Sequence, residues 1–138
     1  RFSQENEIIV RVNNEFDYDI PPHSADYNQQ GGIYREVRLM ALHPVFIKRT
    51  LISTPEVSFR GAAYQVKTTL RSKGQAAQAL RLVVNLINPY VEIAESHTRE
   101  VSVPAGGSVE VELAGAVREP LLWSPDYPHL YRIHTLLY

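Results

Sequence analysis

Apolar residues recur at every second position along most of this chain, the mark of half-buried β-strands. Ile8, Val10 and Val12 share one face with Ile9 and Arg11 opposite. Residues Ile33–Met40 repeat the pattern with Val37 and Leu39 turned inward. After Pro44 comes the short run Val45-Phe46-Ile47, then alternation at Val57 and Phe59. The clearest strand runs from Ala63 to Arg71: Tyr64, Val66, Thr68 and Leu70 point one way, and Gln65, Lys67, Thr69 and Arg71 the other. Ser72-Lys73-Gly74-Gln75 reads as a turn, and Leu80, Leu82, Val84 and Leu86 bring the chain back as the second arm of a hairpin. Asn88-Pro89 stops that arm, because proline has no N–H to give to a ladder. Val91 and Ile93, then Val101 and Val103, mark two short strands separated from the next by the turn Pro104-Ala105-Gly106-Gly107. Val109, Val111 and Leu113 then face inward with Glu110 and Glu112 outward, and Tyr131–Leu137 forms a last strand. Gln75–Leu82 is the one stretch a helix could claim, but it is short and Val83-Val84 continue the strand pattern.

The fold class is therefore all-β. From about residue 45 onward, roughly seven short strands separated by turns have the spacing of an immunoglobulin-like β-sandwich. The disulfide of antibody domains is excluded, because the chain has no cysteine. Residues 14–32 differ: they are polar, aromatic and broken by Pro21-Pro22, and a long loop of this kind is usually functional or disordered. The strands on either side of it make at most a small β-unit, which is marginal in water without a partner.

Composition narrows the chemistry. At 138 residues the chain can bury a real core, and a formal net charge of -1 leaves no electrostatic footprint for nucleic acid or an anionic membrane. The lack of cysteine removes zinc–thiolate sites and a cysteine nucleophile, and fits an exported protein as well as an internal one. No apolar run approaches the roughly 20 residues of a membrane-spanning helix. The start, Arg1-Phe2-Ser3-Gln4-Glu5, has neither methionine nor an apolar signal region, and a strand pattern begins within a few residues, so the true beginning is expected elsewhere. Of His23, His43, His97, His129 and His134, only the last two have a spacing that suggests a metal pair, and they fall on opposite faces of a strand or its approach. No phosphate-binding, dinucleotide-binding or serine-hydrolase motif is present, and no cofactor or metal is expected.

Three segments are more specific. Gly31-Gly32-Ile33-Tyr34-Arg35-Glu36-Val37, with Asp26 six residues before Gly32, resembles the segment that closes the sugar-binding domain of glycoside hydrolase family 2. Pro44-Val45-Phe46-Ile47 follows at the spacing where that family passes into its second, immunoglobulin-like domain. Leu122-Trp123-Ser124-Pro125-Asp126-Tyr127-Pro128-His129-Leu130-Tyr131 resembles the motif that closes the second domain. The resemblance covers essentially the whole chain. It implies residues 1–43 as the C-terminal strands of a truncated jelly-roll sugar-binding domain and 44–138 as the immunoglobulin-like β-sandwich. It further implies a parent glycosidase, in the first instance a β-galactosidase, that hydrolyses terminal β-glycosides with retention. Two glutamates on a following (β/α)8 barrel would do the chemistry, so no catalytic residue is expected here. The partners it implies are that barrel, the remainder of the sugar-binding domain and a carbohydrate substrate. A β-glucuronidase or β-mannosidase parent is the alternative within the family, and a free-standing carbohydrate-binding or adhesion sandwich the alternative outside it.

Asp26 is the candidate substrate-binding residue: the resemblance implies an aspartate reaching from the first domain into the sugar pocket, where a carboxylate accepts charge-assisted hydrogen bonds from hydroxyls. A turn-forming loop aspartate is the plainer reading. Tyr27-Asn28-Gln29-Gln30 lack the tryptophan or arginine of one common version of the motif, which leaves the sugar open. Arg35 and Glu36 are expected to be an ion-paired strand feature, with an interdomain contact as the alternative. Glu110 and Glu112, two apart on one strand face, could approach the ~5–5.5 Å of a retaining carboxylate pair, but alternation puts them on an open face with no cleft. Glu92 and Glu95 are read the same way. Trp123 is expected to be buried as a plug at one end of the sandwich. Gly31-Gly32 is expected to serve a positive φ or a close backbone approach. The edges of Ile8–Val12 and Ile33–Met40 are expected to be covered by the sandwich, by a neighbouring molecule or by a second copy in a homo-oligomer.

Overall fold

The computed structural model describes residues 4–15, 17–19 and 31–138. The chain divides into two compact units, Arg1–Met40 and Ala41–Tyr138.

The second unit is a two-sheet sandwich of six strands: β1 (Val45–Val57), β2 (Gly61–Ser72), β3 (Gln78–Ile87), β4 (Ile93–Val103), β5 (Ser108–Arg118) and β6 (Arg132–Leu137). One sheet has the order β1-β2-β5, the other β4-β3-β6, and every pairing is antiparallel. Alternation accounts for the faces. Tyr64, Val66 and Leu70 of β2 are buried together with Leu82, Val84 and Leu86 of β3, and Val45, Val103 and Leu113 complete the core. Leu70 and Leu82 are fully enclosed, so truncating either to alanine is expected to cost about 2–5 kcal/mol.

The partners differ from the sequence expectation in three places. β2 and β3 do not form a hairpin: they lie in different sheets. The inward side chains are the expected ones, but residues 73–77 carry the chain across the core. Backbone bonds from Lys73 N to the Pro44 carbonyl (2.8 Å) and from Gly106 N to the Gly74 carbonyl (3.0 Å) hold this crossing. Second, the two short strands expected around residues 91–103 are one strand, β4. Val91 belongs instead to the turn before it, at φ +69°, a conformation costly for a β-branched residue. The Asn88 side-chain oxygen accepts from Tyr90 N and Glu92 N (3.0 and 2.9 Å) and fixes that turn. Third, the runs at Val45–Ile47 and at Val57 are the two ends of a single strand with two bulges, β1.

Among the described residues of the first unit, the segments expected as strands, 8–12 and 33–40, are not in a ladder. Alternation makes a segment fit to pair, but a strand exists only when its N–H and C=O groups meet partners. Ile8, Ile9, Val37, Leu39 and Met40 are exposed. Both expectations for the glycine pair are met. Gly32 has φ +125°, and a Cβ on Gly31 would stand 2.9 Å from Cβ of Asn14.

Candidate functional site

Asp26, the candidate substrate contact, lies outside the described residues, as does His23. Arg35 and Glu36 do not pair with each other. Glu36 binds Arg38, and the Arg35 guanidinium lies 5.3 Å from the centre of the Tyr34 ring.

The outer face of the β1-β2-β5 sheet carries Glu110 and Glu112. Lys67, directly opposite Glu112 in register, sits between them with its Nζ 3.5 Å from Glu110 and 3.7 Å from Glu112. All three side chains are about half exposed, and pairs of this kind contribute little to stability. The face is open, as alternation implied, and both carboxylates are engaged by one ammonium. Glu92 is bound by the Asn88 side-chain amide (3.0 Å) at the β3–β4 turn.

Glu95 is different, and the expectation of an open solvent face is corrected there. It lies opposite inward-facing Leu86 and therefore points between the sheets. The Tyr64 hydroxyl donates to its Oε2 at 2.6 Å, and His97 Nε2 stands 3.1 Å from its Oε1 and 3.0 Å from the Tyr64 oxygen. Tyr64 is on β2 and the other two are on β4, so this cluster is a polar clasp between opposite sheets. Burial, reinforced by the hydrogen bond to Glu95 and its negative charge, holds the Tyr64 proton far above the ordinary phenol range. The clasp depends on a fourth residue. Gly115 of β5 is directly in register with Tyr64, and a Cβ there would collide with the Tyr64 hydroxyl and Glu95 Oε2. The sequence held a signal for this: along β5 the inward positions run Val109, Val111, Leu113, Gly115, Val117, and the missing side chain marks where a large one crosses from the neighbouring strand. Tyr64 uses Glu95 as a hydrogen-bond acceptor.

The closing motif adopts a loop rather than a plug. Trp123 is 59% exposed, against the expectation of burial. The Ser124–Tyr127 turn, closed by Ser124 N to Tyr127 O (3.0 Å) and Tyr127 N to Ser124 O (3.1 Å), hangs outside the sandwich. Tyr131, partly buried, packs against the core instead and accepts from Leu121 N at 3.2 Å. Phe59, Pro120, Leu122, Trp123 and Tyr127 consequently line a shallow aromatic surface. His129 stacks near Tyr127 with ring centres 6.3 Å apart, while His134 lies on β6 opposite Asn85. Among the described residues, no three His, Cys, Asp or Glu side chains are placed to hold a metal ion.

Two facing antiparallel sheets with crossing connections define an immunoglobulin-like β-sandwich module. The model of the family described as "Glycosyl hydrolases family 2" matches residues 45–138. The chain belongs to that family. A β-glucuronidase of Formosa agariphila is 25% identical over 96% of this chain and 15% of its own length. A β-galactosidase of Thermoanaerobacter pseudethanolicus is 28% identical over 96% of this chain and 18% of its own. The crystal structure of a Bacteroides uniformis β-glucuronidase superposes with a TM-score of 0.86 at 28% identity, covering 91% of this chain and 16% of that one. The chain thus spans under a fifth of the length of each of these relatives.

Proposed function

We propose that this chain is a non-catalytic part of a longer family 2 glycosidase. In this reading residues 1–43 are the last strands of a sugar-binding jelly roll and residues 44–138 the immunoglobulin-like sandwich beside it. The catalytic barrel and its two glutamates lie elsewhere in the same polypeptide. The observation that carries the reading is the full-length match to enzymes of which this chain represents under a fifth. The engagement of Glu95 by Tyr64 and His97, and of Glu110 and Glu112 by Lys67, supports a scaffolding role. The substrate is better read as a β-glucuronide than as the β-galactoside first expected, because the names β-glucuronidase predominate among the relatives. Asp26 remains the proposed substrate contact, reaching toward the sugar from the first domain. Assaying the longer gene product on nitrophenyl β-glucuronide and β-galactoside tests the assignment. Turnover of the glucuronide is expected to dominate, and the reverse preference returns the assignment to a β-galactosidase.

The exposed aromatics Phe59, Trp123 and Tyr127 favour one second reading, a free-standing glycan-binding sandwich. Calorimetry of the 138-residue chain with glucuronides and galactosides decides it. Saturable stoichiometric binding would establish that reading in place of the scaffold.

A further inference from the structure

We infer that the free edge of β1 is a latent self-pairing surface, complementary to the same edge of a second copy of this chain, and that two bulges hold it shut. The inference concerns the sandwich alone and stands whether or not the glycosidase reading holds.

The first observation is the composition of the edge. β1 ends the β1-β2-β5 order and has no strand on its other side among the described residues. Its middle, Thr50-Leu51-Ile52-Ser53-Thr54, carries no charge and is rich in β-branched residues. Leu51 is 46% exposed and Ile52, in register with fully buried Val66, is 55% exposed. The edge strands β4 and β5 are built differently: Glu95, Arg99 and Glu100 interrupt one, Glu110 and Glu112 the other. An exposed, apolar, uncharged edge run is the feature that invites a second strand.

The second observation is that this run is self-complementary. Backbone bonds from Ser72 N to Gly107 O (2.9 Å) and from Glu119 N to Arg60 O (3.2 Å) extend the β2–β5 register at both ends. Bonded and non-bonded pairs alternate in an antiparallel ladder, so the even-numbered residues of β2 bond to β5. The odd-numbered Lys67 and Gln65 therefore bond to their β1 partners Leu51 and Ser53. The N–H and C=O groups of Thr50 and Ile52 are left facing the free edge. In a two-fold antiparallel alignment, Thr50 of one copy lies opposite Ile52 of the other, and the edge-facing groups of both residues find partners. Leu51 then meets its counterpart on the outer face at the close spacing of a non-bonded pair.

The third observation is what closes the edge. Lys48 is an extra residue between the pairs Ile47–Leu70 and Arg49–Thr69. Thr54-Pro55 spans the second irregularity, where β2 offers Tyr64 alone. Bulges bend a strand and raise its twist, and the regular stretch left between these two, Arg49 to Ser53, is short for a stable pairing. Ser58 N donates to Gly61 O at 2.8 Å, which continues the bonded series through Glu56–Ala63. Position 55 thus faces the free edge, where proline has no N–H to offer. Bulges, a lysine and a proline are the devices that keep an edge strand from pairing.

Sedimentation velocity of the 138-residue chain tests the inference. The parent chain is expected to be monomeric. Deleting Lys48 and Pro55 leaves every flanking pair in register and turns β1 into a regular strand. That variant is expected to dimerise at least about 10-fold more tightly than the parent, because each copy gains backbone hydrogen bonds at the edge. Amide exchange at Thr50 and Ile52 is expected to slow as its concentration rises. Adding Leu51→Lys sets like charges face to face at the two-fold and is expected to return the protein to monomer. A double deletion that unfolds cooperatively yet stays monomeric would overturn the inference. So would dimerisation that Leu51→Lys leaves intact, or a parent chain already paired through Thr50 and Ile52. Where the double deletion fails to fold, Pro55→Val at this exposed position makes the same comparison, and a monomer there counts equally against the inference.

Discussion

The two flanks of the sandwich are closed in opposite ways. On the β4/β5 side, Tyr64 crosses over Gly115 and ends on Glu95 and His97, so a chain of short polar contacts joins the sheets. On the β1/β6 side no such tie exists among the described residues, and an apolar groove runs past half-exposed Ile52. A flank sealed by its own hydrogen bonds is complete within the chain. A flank that presents core-face residues to water still exposes apolar surface that favours being covered. The contrast places a flank closed by the chain's own side chains on one side of the module and a flank with uncovered apolar surface on the other.

The largest effect is expected on the closed flank. Gly115→Val drives a side chain into the space of the Tyr64 hydroxyl and leaves the half-buried Glu95 without its donor. Overpacking and an unsatisfied polar group together predict a loss of about 3–5 kcal/mol in urea unfolding. Stability within 1 kcal/mol of the parent, on the order of an ordinary surface change, would show that the clasp is not built as described.

Two truncations on the same sheet face sharpen the contrast. Val66→Ala is expected to cost about 2–3 kcal/mol, whereas Ile52→Ala, a larger deletion, costs about 1 kcal/mol or less because its face is uncovered. Equal losses from the two would mean that the open flank is already packed in the isolated chain.

Tyr64→Phe removes the hydroxyl alone and should cost about 1–2 kcal/mol at neutral pH. Its pH signature is more specific. The unfolded chain loses the Tyr64 proton above about pH 10, while the folded chain retains it, so folding binds the extra proton and stability falls as pH rises beyond that point. Melting curves between pH 9 and 11, a window set by the ~10 of a free phenol, should fall less steeply for Tyr64→Phe. An effect of opposite sign is expected at Thr68, whose buried Oγ1 has no hydrogen-bond partner. Thr68→Val should raise stability by about 1 kcal/mol, read as a higher urea midpoint.

How far the sequence foretold these features follows from what alternation encodes. It states which side chains share a face, and Tyr64, Val66, Leu70, Leu82, Val84 and Leu86 are buried as the pattern required. It does not state which strand a strand pairs with. Hence two strands of opposite sheets read as a hairpin across Ser72–Gln75, and a long irregular strand such as β1 read as two fragments. The family resemblance, carried by Gly31–Val37 and Leu122–Tyr131, was legible because those residues are chemically unusual as strings. The role of Trp123 was not, since aromatic character predicts burial only where the backbone enters the core, and the Ser124–Tyr127 turn keeps it outside. The clasp was invisible to local reading because its parts are 31 and 33 residues apart along the chain. Only the gap at Gly115 in an otherwise filled inward row hinted at it.

The central claim is that this module carries scaffold and no chemistry. Turnover of nitrophenyl β-glucuronide and β-galactoside by the purified, cooperatively folded 138-residue chain tests it most directly. The account predicts a rate indistinguishable from buffer for both substrates. Sustained turnover that grows with the concentration of the chain and disappears when it is unfolded would contradict it.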